Sequence, residues 1–100
     1  MNKCLNMLGL CARARRLESG TQAVEISIKK GSARLVVIDE EASQETKKMF
    51  SEVCGAKKIP VIQVEGSMLG DAIGKPGRRV AAVTDDSFAD RIRQLHEMNV

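Results

Sequence analysis

Apolar residues in this chain change period several times, and the changes mark out its elements. From 3 to 15, Cys4, Leu5, Leu8, Cys11 and Ala12 recur at helical spacing. Ser19-Gly20-Thr21-Gln22 has the form of a capping box, Ser-x-x-Gln. It predicts a helix to about Lys30 with Val24, Ser27 and Ile28 facing inward, stopped by Gly31. "RLVVID", 34–39, is a short β-branched run and reads as a buried strand. Ser43 can cap a third helix, with Thr46, Met49, Phe50, Val53 and Cys54 at helical spacing and Gly55 as its end. Pro60 introduces "VIQV", a second buried strand, and Ser67 caps a short helix through Ile73. "GKPGRR" is a loop, because Pro and Gly break regular structure. "VAAVT", 80–84, is a third strand. Asp85 or Asp86 then caps a last helix with Phe88, Ile92 and Leu95 on one face. Helices alternating with short buried strands predict an α/β fold, a three-layer α-β-α sandwich around a parallel or mixed sheet.

The 100 residues suit one domain, residues 1–100, and contain no linker, repeat or low-complexity segment. Apolar runs reach only four or five residues, so no segment spans a membrane. The N-terminus lacks the apolar core of a signal peptide. Cys4, Cys11 and Cys54 are odd in number and form no CxxC, which reads as reduced thiols in a cytoplasmic protein and offers no metal site. A net charge of +3 is mild, but its distribution is not even. Arg13, Arg15 and Arg16 form one cluster, Lys75, Arg78 and Arg79 a second, Lys29 and Lys30 a third. Any one of these suits a solvated surface, and arginines in the last turn of a helix also favour its dipole. Two clusters at predicted turns shift the reading toward an anionic partner. Trp and Tyr are absent and Phe occurs twice, so stacking of single-stranded bases is not available. Any nucleic acid bound here is recognised as a folded shape.

Catalysis has little support. His96 is the only histidine, and it reads as a solvated side chain without a partner. Asp39-Glu40-Glu41 reads as the polar exit of a strand and Asp85-Asp86 as a helix cap. "GDAIGKPG" lacks the spacing of a Walker loop. No catalytic residue, cofactor site or metal site is expected. What remains is a pair of loops. Gly20 permits close approach to the backbone at a helix start, where free amides attract anions. Gln22 carries donors and an acceptor for base edges. Gly77 offers a second approach, flanked by Lys75, Arg78 and Arg79.

The chain resembles the kink-turn RNA-binding ribosomal proteins, the L-seven-Ae and L-thirty-e group, and in particular their bacterial YlxQ-like members. The resemblance runs from about residue 5 to 84. It lies in the order and spacing of "LGLCARARRLESG", "IKKGSARLVVIDEEAS", "TKK", "KKIPVI", "LGDAIGK" and "VAAVTD". It implies a mixed four-stranded sheet, whose fourth strand is a short segment near Arg16 to Glu18. It implies no catalysis, and binding of a sharply bent RNA in which a three-nucleotide bulge adjoins sheared G·A pairs. The implied RNA face joins Gly20, Thr21, Gln22, Ala23 and Ile26 to Lys75, Pro76, Gly77, Arg78 and Arg79, with Arg13, Arg16 and Lys30 flanking it.

The chain departs from the archaeal pattern of Asn-Glu after the Gly-x pair and Lys three residues beyond. Gln22, Ala23 and Ile26 stand there, and the second loop is Pro-Gly-Arg-Arg rather than mostly apolar. The leading expectation is a cytoplasmic, monomeric, non-catalytic ribonucleoprotein component, with kink-turn or ribosomal RNA and ribosomal proteins as partners. A protein-interaction adaptor that keeps the fold without specific RNA recognition is the alternative, favoured by Ala23 and Ile26. A phosphate-binding enzyme domain, suggested by the glycine-rich loop alone, is the third.

Overall fold

The computed structural model describes residues 2–98. Its elements run α1 (Lys3–Arg13), β1 (Leu17–Ser19), α2 (Thr21–Lys30), β2 (Leu35–Asp39), α3 (Gln44–Lys57), β3 (Val61–Val64), α4 (Met68–Ile73), β4 (Val80–Val83) and α5 (Asp86–Met98). The four strands form one mixed sheet in the order β1-β4-β2-β3. β4 is antiparallel to both β1 and β2, whereas β2 and β3 are parallel.

β2 shows why the sandwich has three layers. All five of its residues are buried, and successive side chains point to opposite faces. Leu35 and Val37 join the core under α1, α4 and α5, with Leu8, Leu69 and Ile92. Val36 and Ile38 join the core under α2 and α3, with Val24, Ile28 and Phe50. The unbroken apolar run from Leu35 to Ile38 is what a strand covered on both faces needs, and Asp39 ends it.

Several boundaries differ from those expected. α1 ends at Arg13, not at 15, so only that arginine lies in its last turn. The chain then passes through Arg15 in the left-handed region, with Arg15 N–H donating to Ala12 O and Arg16 N–H to Cys11 O. Ser19 is the end of β1 and caps nothing. Gly20 is the N-cap of α2, at φ 95° and with no side-chain cap, so the expected capping box is absent. The short strand β1 claims Ser19 first, through its register with Ala81. α3 runs through Gly55 to Lys57 and stops where Ile59 turns into the core beneath it. "VIQV" is a strand but is not buried. It pairs on one side only, at the edge of the sheet, and only Val64 is inside. His96 is half-buried, with Nε2 3.0 Å from the Gln63 carbonyl of that edge strand. The caps at Ser43 and Asp85 are as expected, bonding Thr46 N–H and Phe88 N–H respectively.

Asp39 is the largest departure. It is fully buried at the end of β2. One carboxylate oxygen accepts from Glu41 N–H and Ser67 N–H, both at 2.8 Å, and the other from Leu69 N–H at 3.0 Å. Ser67 precedes α4 at φ 65°, and its own hydroxyl makes no cap bond. The cap of α4 therefore comes from a residue 28 positions earlier. Asp39 N–H also donates to Arg79 O at 2.8 Å. One residue thus holds the start of α4 and the start of β4, the two ends of the segment that carries the second basic cluster.

Burial acts to raise the Asp39 pKa, but the three backbone N–H groups and the charge of Arg79 outweigh it and hold the carboxyl below its ordinary 3.8. A depressed folded-state pKa adds stability that is complete above the unfolded value and is lost as pH falls through the folded one. Asp39→Asn should therefore lower stability at neutral pH by about 2–3 kcal/mol, because an amide N–H2 then faces backbone donors. Urea denaturation at a series of pH values checks both parts. The loss should be largest near neutrality and should shrink in acid, where the wild type forfeits the same carboxylate.

Candidate nucleic-acid interface

Three segments meet at one end of the sheet. They are the start of α2, the start of α3 and the loop that leads into β4. Gly20, Thr21, Ser43, Thr46, Gly77, Arg78 and Arg79 line the groove between them, which has a volume of about 300 Å³. Gly20 N–H donates to Val80 O at 3.0 Å, which ties the start of α2 to β4. The next three amides, of Thr21, Gln22 and Ala23, have no partner among the described residues, since Gly20 brings no capping side chain. They are the open donors that an anion would meet at the positive end of the helix dipole. The start of α3 differs, because Ser43 Oγ already accepts from Thr46 N–H.

The loop is placed by backbone contact. A Cβ on Gly70 would come within 2.8 Å of Lys75 O and 2.9 Å of Gly77 N. α4 therefore presses its glycine directly onto the loop, and Lys75 N–H bonds Gly70 O at 2.8 Å. Arg78 then reaches back across the groove. Its Nη1 donates to Ser19 O at 3.2 Å, and the guanidinium occupies the space that a Gly20 Cβ would need. Gly20 thus has two reasons to be glycine within the chain itself, its positive φ and Arg78.

The structure brings together some of the sequence-predicted residues and separates others. Gly20, Thr21, Gly77, Arg78 and Arg79 share the groove. Gln22 and Ile26 are exposed on α2, and Ala23 is half-buried. Pro76 is exposed in the loop, next to Lys75. Lys30 is exposed at the far end of α2, about 13 Å from Thr21 along the helix. Arg16 is at the other end of β1, where its carbonyl accepts from Thr84 N–H, about 13 Å of extended chain from Gly20. Arg13 and Lys75 share a second cleft with Arg15, on the side of α1 and α4. Asp39 and Gly70, which position the loop, were not among the expected site residues. The buried rank of Asp39 has no signal in the sequence, since "DEE" reads as polar surface.

The electrostatics favour an anion. Among the described residues the one ion pair joins Arg34 to Asp86 at 3.2 Å, and none involves Lys75, Arg78 or Arg79. Nothing here is poised for covalent chemistry. Burial raises the thiols of Cys4 and Cys54, and burial with the charge of Asp85 pushes that of Cys11 up to about 12. Among the described residues no acidic, Cys and His cluster could hold a metal. Among the described residues no helix is long and apolar enough to cross a membrane.

The role of Arg78 beside Gly20 has a direct consequence. Gly20→Ala should cost about 1–3 kcal/mol, from strain at positive φ and from displacing the guanidinium. Arg78→Ala should remove the second part only. A double-mutant cycle by urea denaturation should give a coupling of about 0.5 kcal/mol or more, with Gly20→Ala less damaging in the shortened background. Additive costs would mean that the two residues do not meet.

Known proteins place this arrangement. The sequence is 41% identical over 90 residues to the RNA-binding protein YlxQ of Bacillus subtilis (strain 168), which covers 89% of this chain and 90% of that protein. It is 29% identical over 96 residues to the RNA-binding protein YlxQ of Enterococcus faecium, covering 95% and 92%. A solved structure of a protein of unknown function from Bacillus halodurans C superposes with a TM-score of 0.93 at 39% identity, over 97% of this chain and 99% of that one. The Giardia lamblia 15.5kD RNA binding protein shares the fold, with a TM-score of 0.77 at 24% identity over 96% and 86%. The profile of the ribosomal protein L7Ae/L30e/S12e/Gadd45 family matches residues 2–92, and the chain belongs to that family.

Proposed function

We propose that this protein is a non-catalytic RNA-binding protein that recognises a sharply bent, kink-turn-like element in ribosomal or ribosome-associated RNA, in the cytoplasm. The observation that carries this reading is the groove itself. It joins the start of α2, where three amides have no partner among the described residues, to a glycine loop whose cations have no ion-pair partner among them either. Backbone N–H groups, Gln22 and arginines are the donors that phosphate oxygens and exposed base edges accept from. Both curated relatives are RNA-binding proteins by name. Without Trp or Tyr the chain has little to stack on, so shape and backbone geometry carry the recognition. Ile26 favours the second reading, a protein-interaction adaptor, since it leaves an apolar side chain 55% exposed on the outer face of α2.

One titration separates the two. The protein should bind a standard kink-turn more tightly than a control whose sheared G·A pairs are replaced by Watson–Crick pairs. Equal affinity for both would sink the kink-turn reading and leave the adaptor.

Charge reversal tests the groove. Arg79 is the wrong target, because its charge supports Asp39 and its carbonyl anchors β4. Arg78→Glu should weaken RNA binding. It should also lower the slope of log affinity against log salt by roughly 0.7–0.9, the value of one phosphate contact. An unchanged slope places the phosphate contacts elsewhere.

A gain of function tests the face of α2. Ala23→Glu with Ile26→Lys restores the charged residue types of the archaeal pattern, one helical turn apart. The Glu falls in the first turn of the helix, where a carboxylate suits the dipole. Binding to the standard kink-turn should tighten about tenfold, or 1.4 kcal/mol, within the range of a good polar contact to a base edge. The Watson–Crick control should not improve.

A further inference from the structure

We propose that the cleft between the end of α1, β1 and the end of α4 is a second phosphate site, which holds a separate run of RNA backbone on the face of the sheet opposite α2. This rests on the RNA reading given above. Arg13, Arg15 and Lys75 line the cleft, which has a volume of about 410 Å³ and an apolar floor that includes Leu17 and Ile73. Glu18 is the one carboxylate on its wall. None of the three cations is ion-paired among the described residues.

Arg15 is the informative residue. It sits at φ 60°, just past the end of α1, in the backbone conformation that closes a helix and suits glycine. Any side chain is strained there. Its own guanidinium makes no hydrogen bond among the described residues, and it is exposed. The fold would be better served by glycine at this position, and a long cation stands there instead. Glycine would relieve that strain, so Arg15→Gly removes the cation from the cleft without an expected loss of stability. Lys58 has the same backbone, at φ 59°, but lines none of the clefts described here. It is the natural control.

The position of the cleft specifies the shape of its ligand. Lys75 lines this cleft and Arg78 the α2 groove, so one loop serves both. The bond from Arg78 Nη1 to Ser19 O closes the wall between them. The two basic surfaces lie on opposite layers of the sandwich, since α1 and α4 pack on one face of the sheet and α2 on the other. A straight duplex cannot follow both. A bent RNA can lay one arm against each, with its bend over the 75–78 loop.

The test uses the full chain with Arg15→Gly, Arg13→Gln with Arg15→Gly, and Lys58→Gly. Each is titrated over a range of salt against a standard kink-turn with two long arms, and against versions with either arm cut back to the bend. Urea midpoints are measured alongside. Arg15→Gly should raise the urea midpoint and yet weaken binding several-fold, with the salt slope lower by about 0.7–0.9. The double variant should lose about twice that slope. Cutting back one of the arms should weaken the wild type and leave the double variant unchanged. Lys58→Gly should raise the midpoint without touching affinity. The proposal is overturned if the double variant keeps wild-type affinity and slope while the wild type still prefers the kink-turn. It is also overturned if binding falls only in step with lost stability. A wild type with no preference for the kink-turn over its Watson–Crick control removes the proposed function, and this site with it.

Discussion

A buried carboxylate that accepts only from backbone N–H groups cannot move without leaving a charge or a donor unsatisfied, and either is costly inside a protein. Asp39 is in that position. Its oxygens fix the turn after β2 and the first amides of α4, and its own N–H fixes Arg79. The 67–79 segment is short, and it is held at both ends by the same residue. The loop within it needs no further scaffold than Gly70, which lets α4 lie against the loop backbone. A six-residue helix is too short to be stable alone. Here it is held by a cap from a distant strand and by Leu69 and Ile73 in the core.

The same economy governs the start of α2. A serine or aspartate at the N-cap would satisfy one of the first amides and so withdraw it from any ligand. Gly20 leaves them open, and its lack of a side chain makes room for Arg78 to bridge to β1. At the start of α3 in the same groove, Ser43 Oγ takes one such amide, that of Thr46. The two helix starts therefore offer different numbers of open donors to the same space.

Much of the fold was legible because it rests on local chemistry. β2 up to Ile38 and all of β4 are continuous apolar runs, as strands covered on both faces need, and Gly31, Ser43 and Asp85 act within three or four residues of themselves. The family resemblance supplied β1, which is too short to carry a pattern. The failures share a cause. Ser19 looked like a cap until pairing with β4 claimed it, and "VIQV" looked buried until the strand order put it at an edge. Gly55 looked like a stop, but a helix tolerates one glycine at about 1 kcal/mol when its buried face continues, and the turn waits for Ile59 to enter the core.

The candidate site divides along the same line. The sequence by itself determined which residues could meet an anion. Glycine, arginine, lysine and glutamine are marked by their own chemistry, and one of their clusters, Lys75 to Arg79, falls where proline and glycine forbid regular structure. Only the tertiary structure decided which of them share a surface. It joined Gly20 to Arg78 across 58 positions of chain, moved Arg16 and Lys30 away from that groove, and set Arg13 and Arg15 against Lys75 on the opposite layer. It also turned Asp39 from apparent surface into the buried anchor of the loop. The physical reason is the range of the forces involved. Turn and helix propensities act within a few residues, whereas register, layer and desolvation are set by partners far along the chain, and no local pattern encodes those partners.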